Sequence, residues 1–147
     1  MKTRLTTLLT ALMLISIVTF ANDSIKPSKQ LQKEFSQEFA QAADVNWEKV
    51  GDYYKASFIE NGKYFVAYFN AYNQMQSISR NISTDMLPLV LQKGLKEKTS
   101  EKTWITGCIE LFGENGTEYY IMVENADETT IYQASGTGWE EYKRADK

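Results

Sequence analysis

Residues 53–70 read YYKASFIENGKYFVAYFN, two runs of strand-forming residues joined by Asn61-Gly62. Asn-Gly is the dipeptide best suited to a two-residue hairpin turn, because both of its residues accept the positive φ that a type I′ turn requires. Such a loop joins strands over Tyr53–Glu60 and Lys63–Asn70 and sets Phe58 opposite Phe65, Ala56 opposite Ala67 and Tyr54 opposite Phe69. All three pairs are apolar and share one face, which is therefore assigned to the core. The other face carries Tyr53, Lys55, Ser57, Ile59, Tyr64, Val66 and Tyr68, a mixed and aromatic set.

Upstream of this hairpin the hydrophobic period is four. Pro27-Ser28 is a helix-start signal, and Leu31, Phe35 and Phe39 recur along one face with Lys33, Glu34, Gln37 and Glu38 between them, which predicts an amphipathic helix to about Ala43. Val45 and Trp47 then begin a short strand. Downstream, a turn at Ala71-Tyr72-Asn73 leads into Gln74–Ile82, where Met75, Ile78 and Ile82 alternate imperfectly and predict a fourth strand.

The plan then recurs. Asp85 is placed as an N-cap, Pro88 in the first turn, and Leu87, Leu91 and Leu95 at intervals of four. Gly94 within this second helix weakens it by ~1 kcal/mol relative to Ala. Trp104–Phe112, a turn at Glu114-Asn115-Gly116, Glu118–Glu124, a turn at Ala126-Asp127-Glu128 and Thr130–Ala134 follow. The two Asn-Gly turns are about 54 residues apart, so a duplicated unit is expected, with copies at about 28–83 and 85–134.

Register is less determined in the second copy. A two-residue turn at Asn115-Gly116 puts Glu110 on the face equivalent to the first copy's core. A four-residue loop from Gly113 to Gly116 is an equally good reading, and makes Ile105, Ile109, Leu111, Tyr120 and Met122 the core candidates. Beyond Gly136 the chain is charged, and Trp139 and Tyr142 either close the last strand or lie exposed. The expected fold is α+β: duplicated helix-plus-antiparallel-sheet units, with the helices on one face of the sheet and the other face open.

The N-terminus carries Lys2 and Arg4, an apolar run from Leu8 to Phe20, and Thr19-Phe20-Ala21, whose small residues at −3 and −1 suit a signal peptidase. The run is about 13 residues, below the roughly 18 of a membrane span. A signal peptide over 1–21 is expected, with a single mature domain over 22–147 and no stable membrane insertion after cleavage. Residues numbering on the order of 125 support one core. The solitary Cys108 makes no internal disulfide, and its apolar surroundings from Ile105 to Phe112 favour burial over intermolecular pairing. A net charge of −3 without a basic tract outside the signal argues against nucleic acid as a partner.

These residues resemble the PepSY-like domain family of exported bacterial proteins, which shares its fold with beta-lactamase inhibitory protein. The resemblance is carried by Phe35 and Phe39, then Ala43, Val45 and Trp47, then Tyr54, Ala56, Phe58, Gly62, Ala67 and Phe69, and finally Leu87-Pro88. Asn73 stands where the family pattern more often has Gly, and Asn is the residue that best replaces Gly at positive φ. The resemblance implies a helix-plus-sheet repeat, export to the periplasm or outside, and a non-catalytic role. For the inhibitory protein that role is gripping an enzyme with the open face; the contact loops of that inhibitor have no match here.

Reactive chemistry is sparse. The chain contains no histidine, which removes the usual general base and the commonest transition-metal ligand and excludes Ser-His or Cys-His triads. Glu48 with Asp52, and Glu140 with Glu141, are the nearest carboxylate couples, and neither has a context that perturbs a pKa. Asn125-Ala126-Asp127-Glu128 lacks the spacing of a calcium loop, and Gly136-Thr137-Gly138 is no phosphate-binding loop. No catalytic residue, metal or cofactor is expected.

Tyr is enriched at recognition surfaces. The expected function is therefore recognition of an envelope or secreted protein, an inhibited hydrolase among the candidates, through an open face around Tyr53, Lys55, Tyr64, Tyr68 and Trp139. The alternative is a small apolar or envelope-derived ligand held between helix and sheet, for which Phe35, Phe39, Phe58, Phe65 and Phe69 leave little room.

Overall fold

The structure, a computed structural model, describes residues 25–135 and 137–147; the expected signal peptide, its cleavage site and Gly136 lie outside them. Eight strands form one antiparallel sheet in sequential order: β1 (Ala43–Val50), β2 (Tyr53–Glu60), β3 (Lys63–Phe69), β4 (Met75–Asn81), β5 (Trp104–Gly113), β6 (Gly116–Glu124), β7 (Glu128–Ser135) and β8 (Gly138–Asp146). Helix α1 (Lys29–Glu38) precedes β1, and α2 (Leu89–Lys98) lies between β4 and β5.

The first hairpin has the expected pairing. Phe58 faces Phe65, Ala56 faces Ala67 and Tyr54 faces Phe69. Asn61 and Gly62 adopt φ of 51° and 72°, the left-handed conformations of the I′ turn. On the apolar side Phe35 of α1 sits 5.0 Å from Phe58 and 5.1 Å from Trp47 between ring centroids, both edge-on. Leu31, Phe35, Trp47, Ala56, Phe58, Ala67 and Phe69 are the buried residues of this first core.

Helix α1 is shorter than its periodicity suggests. The Ser28 side chain accepts from Leu31 N–H at 3.1 Å and caps its start. Its end comes at Glu38, because Phe39 leaves helical geometry (φ −117°, ψ 64°) while its N–H still reaches the Phe35 carbonyl. Ala43 then opens β1 instead of closing the helix. The tight return through a bulge at Asp44 (φ 52°) brings Trp47 back against Phe35.

Asp85 does not cap the second helix. Thr84–Met86 form a single 3-10 turn, and α2 begins at Leu89 with Pro88 at its N-cap. A residue before proline is pushed out of the helical region, and Leu87 accordingly sits at φ −64°, ψ 152°. Leu87 and Leu91 are nonetheless buried, with Leu95 packed against them.

In the second hairpin the two-residue turn is Glu114-Asn115, flanked by Gly113 paired with Gly116 at φ 99°. Phe112 then faces Thr117, the pairing that flanks a loop from Gly113 to Gly116. The core beneath α2 is Cys108, Ile121, Val123 and Trp139 with Leu87 and Leu91, and Ile105 packs against it. Ile109, Leu111, Tyr120 and Met122 instead lie together on the opposite face. Glu110 does fall on the helix-covered face, at the seam between the two halves. There it pairs with Arg80 at 2.6 Å across β4 and β5.

Strand β8 was not apparent from hydrophobic alternation, because Glu140, Glu141, Lys143 and Arg144 interrupt it. Those charges suit the outer edge of an open sheet, where they discourage pairing with another chain. At the other edge, Ile25 N–H donates to the Trp47 carbonyl at 3.0 Å, so the chain ahead of α1 covers part of β1. Among the described residues no helix is long and apolar enough to cross a membrane.

Candidate binding face

Both helices pack on the same side of the sheet, so among the described residues no element covers the other side. In its first half Glu48, Lys55, Tyr68 and Ser77 form one row across β1–β4. Lys55 Nζ pairs with Glu48 Oε2 at 2.7 Å. Although neither α1 nor α2 lies over this row, Tyr68 is 0% exposed and Lys55 8%. Both stand in the middle of the row, with side chains of the adjacent strands on either side to cover them.

The second half of the same face is apolar. Leu111, Tyr120 and Ile131 are buried there, with Ile109, Met122 and Tyr142 packed against them. Tyr120 and Tyr142 meet edge-on at 5.6 Å. Gly107 is bare where the Met122 methyl lies over it, and a side chain at 107 would displace that thioether. Glu118 borders the cluster, accepting from Tyr120 Oη at 2.7 Å and from Gln133 Nε2 at 3.3 Å. Burial, with Glu118 nearby, raises the Tyr142 hydroxyl above the usual tyrosine range. Trp104, half-exposed at 52%, stands near the far end beside Glu124 and under Lys147.

Of the expected site residues, Tyr53, Lys55, Tyr64 and Tyr68 are brought to this one face. Their accessibility differs: Tyr64 is 49% exposed, Tyr53 half-buried, and Tyr68 and Lys55 buried. Trp139 is not with them. It lies under α2 in the second core, where its Nε1–H donates to the Leu91 carbonyl at 3.0 Å. The thickness of the sheet separates it from the tyrosines.

The carboxylate couples do not converge on a reacting centre. Glu48 is held by Lys55. Glu140 and Glu141 pair with Gln133 and Tyr132, neighbours that project to opposite faces. Arg144 holds the Glu141 carboxyl below its ordinary range. Asn125 Oδ1 accepts from the Asp127 and Glu128 N–H groups, so its oxygen closes the turn. Among the described residues no group of three or more acidic or cysteine side chains could hold a metal ion. Beneath α1 the rings of Phe35, Phe39, Phe58 and Phe65 pack at centroid distances of 4.8–5.6 Å and occupy the space between helix and sheet.

Sequence reasoning missed the apolar half of the face as a surface. Its signal was present in Ile109-Glu110-Leu111 and Tyr120-Ile121-Met122, but both faces of β6 are apolar, so alternation alone does not say which one the helix covers.

The sequence matches no protein-family model and no curated protein sequence. Solved structures do match. A BLIP-like protein from Bacteroides fragilis is 20% identical with a TM-score of 0.67, over 84% of this chain and 89% of that one. A DUF2874 family protein from Bacteroides uniformis gives 15% identity and a TM-score of 0.71, over 82% and 90%. A protein of Bacteroides eggerthii described as a candidate periplasmic protein gives 15% and 0.72, over 83% and 90%. The chain therefore has a BLIP-like fold. At these identities the likeness concerns the fold alone.

Proposed function

We propose that this chain is an exported, non-catalytic binding module, periplasmic or secreted, that holds a protein partner on the uncovered sheet face. The observation that carries this reading is the apolar cluster of Leu111, Tyr120 and Ile131 with Ile109, Met122 and Tyr142, gathered on a face without a helix over it. Leu111, Tyr120 and Ile131 anchor the cluster from below, while Ile109, Met122 and Tyr142 stay partly exposed, and a contiguous apolar patch left partly open to water marks an interaction site. Tyr64, 49% exposed, and the half-buried Tyr53 extend the surface, with Tyr68 and the Glu48–Lys55 pair beneath them as support. Partly exposed aromatic side chains of this type supply large contact area at low entropic cost.

An inhibited hydrolase is a partner class consistent with the BLIP-like fold, and membership of the PepSY-like family and descent by duplication of a helix-plus-four-strand unit fit the element order. Retention of a partner from the organism's own envelope extract tests the reading. Tyr64→Ala with Met122→Ala should lose a partner that Leu89→Ala, on the helix side, retains. Equal retention by both variants contradicts it.

A further inference from the structure

We propose that the groove between the β3–β4 and β5–β6 turns is a second, separate site that takes a neutral, hydroxyl-rich ring such as a sugar. Ser77 pairs with Gly113, so the start of β4 lies beside the end of β5 and the two turns emerge side by side. Between them is an open groove of about 430 Å3, within the roughly 300–1,000 Å3 typical of small-molecule sites. A bulge opposite Tyr68–Phe69 leaves Gln76 unpaired in the ladder, and that residue helps line the groove.

The groove's hydrogen-bonding groups are set by an internal relay. Asn70 Oδ1 accepts from the N–H groups of Tyr72 and Gln74 at 2.9 and 3.0 Å, which fixes the orientation of its amide. Its Nδ2 must then donate to Gln74 Oε1, at 3.0 Å. That bond fixes the second amide and leaves Gln74 Nε2 as a donor. Gln76 donates to the Gln74 carbonyl at 3.2 Å, which leaves its Oε1 as an acceptor. Glu114 adds a carboxylate from the opposite wall, and Phe112, 57% exposed, adds an apolar ring surface.

This combination selects a ligand class. Among the described residues no Lys or Arg lines the groove, and Glu114 repels anions, which disfavours phosphates and carboxylates. The amides and carboxylate would be left unsatisfied by a purely apolar ligand. Vicinal hydroxyls both donate and accept and so match a donor, an acceptor and a carboxylate together, while the C–H face of a pyranose covers Phe112.

Titration of the 15N-labelled protein with glucose, galactose, mannose and N-acetylglucosamine, followed by NMR, tests this inference. At least one sugar should cause saturable shifts at the Gln74 and Gln76 side-chain amides and the Gly113 amide, leaving the Trp139 indole signal in place. Phe112→Ala, at an exposed position, should weaken that binding roughly ten-fold, and Gln76→Leu should weaken it without unfolding the domain. Absence of saturable shifts with all four sugars overturns the proposal. So do shifts located elsewhere, or affinity unchanged in both variants. Because the groove lies apart from Tyr64 and Met122, this result is independent of protein capture by the uncovered face.

Discussion

The indole of Trp139 lies against the bare Cα of Gly94. A methyl group at position 94 would come 3.1 Å from Trp139 Cδ1, and the indole N–H donates to the Leu91 carbonyl one turn earlier in α2. The glycine that weakens the helix is thus what lets the edge strand β8 dock its largest side chain against the helix backbone.

Two effects therefore oppose one another at position 94. Gly94→Ala gains ~1 kcal/mol of helix propensity, but Trp139 is buried and tethered, so it cannot withdraw and overpacking costs about 1–3 kcal/mol. The expected outcome is a net loss of about 1 kcal/mol in urea unfolding. Combining it with Trp139→Phe should reduce the penalty of the alanine. A stabilised single variant would show that the contact yields.

The Lys55–Glu48 pair predicts a non-additive series. Both side chains are largely withdrawn from water, at 10% and 14% exposure, so Lys55→Ala leaves a half-buried carboxylate without its cation. A loss of about 2–3 kcal/mol is expected. Lys55→Met with Glu48→Leu should cost less than Lys55→Ala alone, measured in the same denaturation assay. Equal and additive losses would mean that the pair is open to solvent.

Cys108 gives a pH dependence. Burial first, and Glu110 second, push its thiol from 9.0 up to about 11. A folded value above the unfolded one favours the folded state while the thiol is protonated. This contribution is complete below about pH 9 and is lost as pH rises toward 11. Tyr119, raised by burial and then by Glu110, acts in the same direction. Stability should therefore fall on the alkaline side, less steeply in Cys108→Ala, and a thiol reagent at pH 8 should label Cys108 only in denaturant.

How much of this was legible in the sequence depended on whether a local rule and the tertiary contacts agreed. Asn61-Gly62 fixed a turn whose side-chain pairs are mutually consistent, so the register of β2 and β3 could be read directly. Asn73 at φ 63° followed from the same turn chemistry. Leu87 at a helix-like spacing pointed to burial, yet Pro88 set where α2 begins. Apolar residues on both sides of β6 concealed which set faced the helix, and Glu110 looked misplaced until Arg80, 30 residues away in sequence, was found beside it. Trp139 appeared to belong to a surface because its strand is otherwise charged; only the gap at Gly94 explains why it is buried. The groove beside Phe112 depends on two turns meeting across β4 and β5, which no local pattern encodes.

The central claim is that the uncovered face, and not the helix side, meets a partner. Its most direct test is a photo-crosslinking amino acid placed in the full chain at Tyr64, at Met122 and, as the helix-side control, at Leu89, followed by irradiation in the organism's envelope. Adducts of one common mass from positions 64 and 122, with none from 89, are the predicted result. Adducts from 89 alone, or none from 64 and 122, would contradict it.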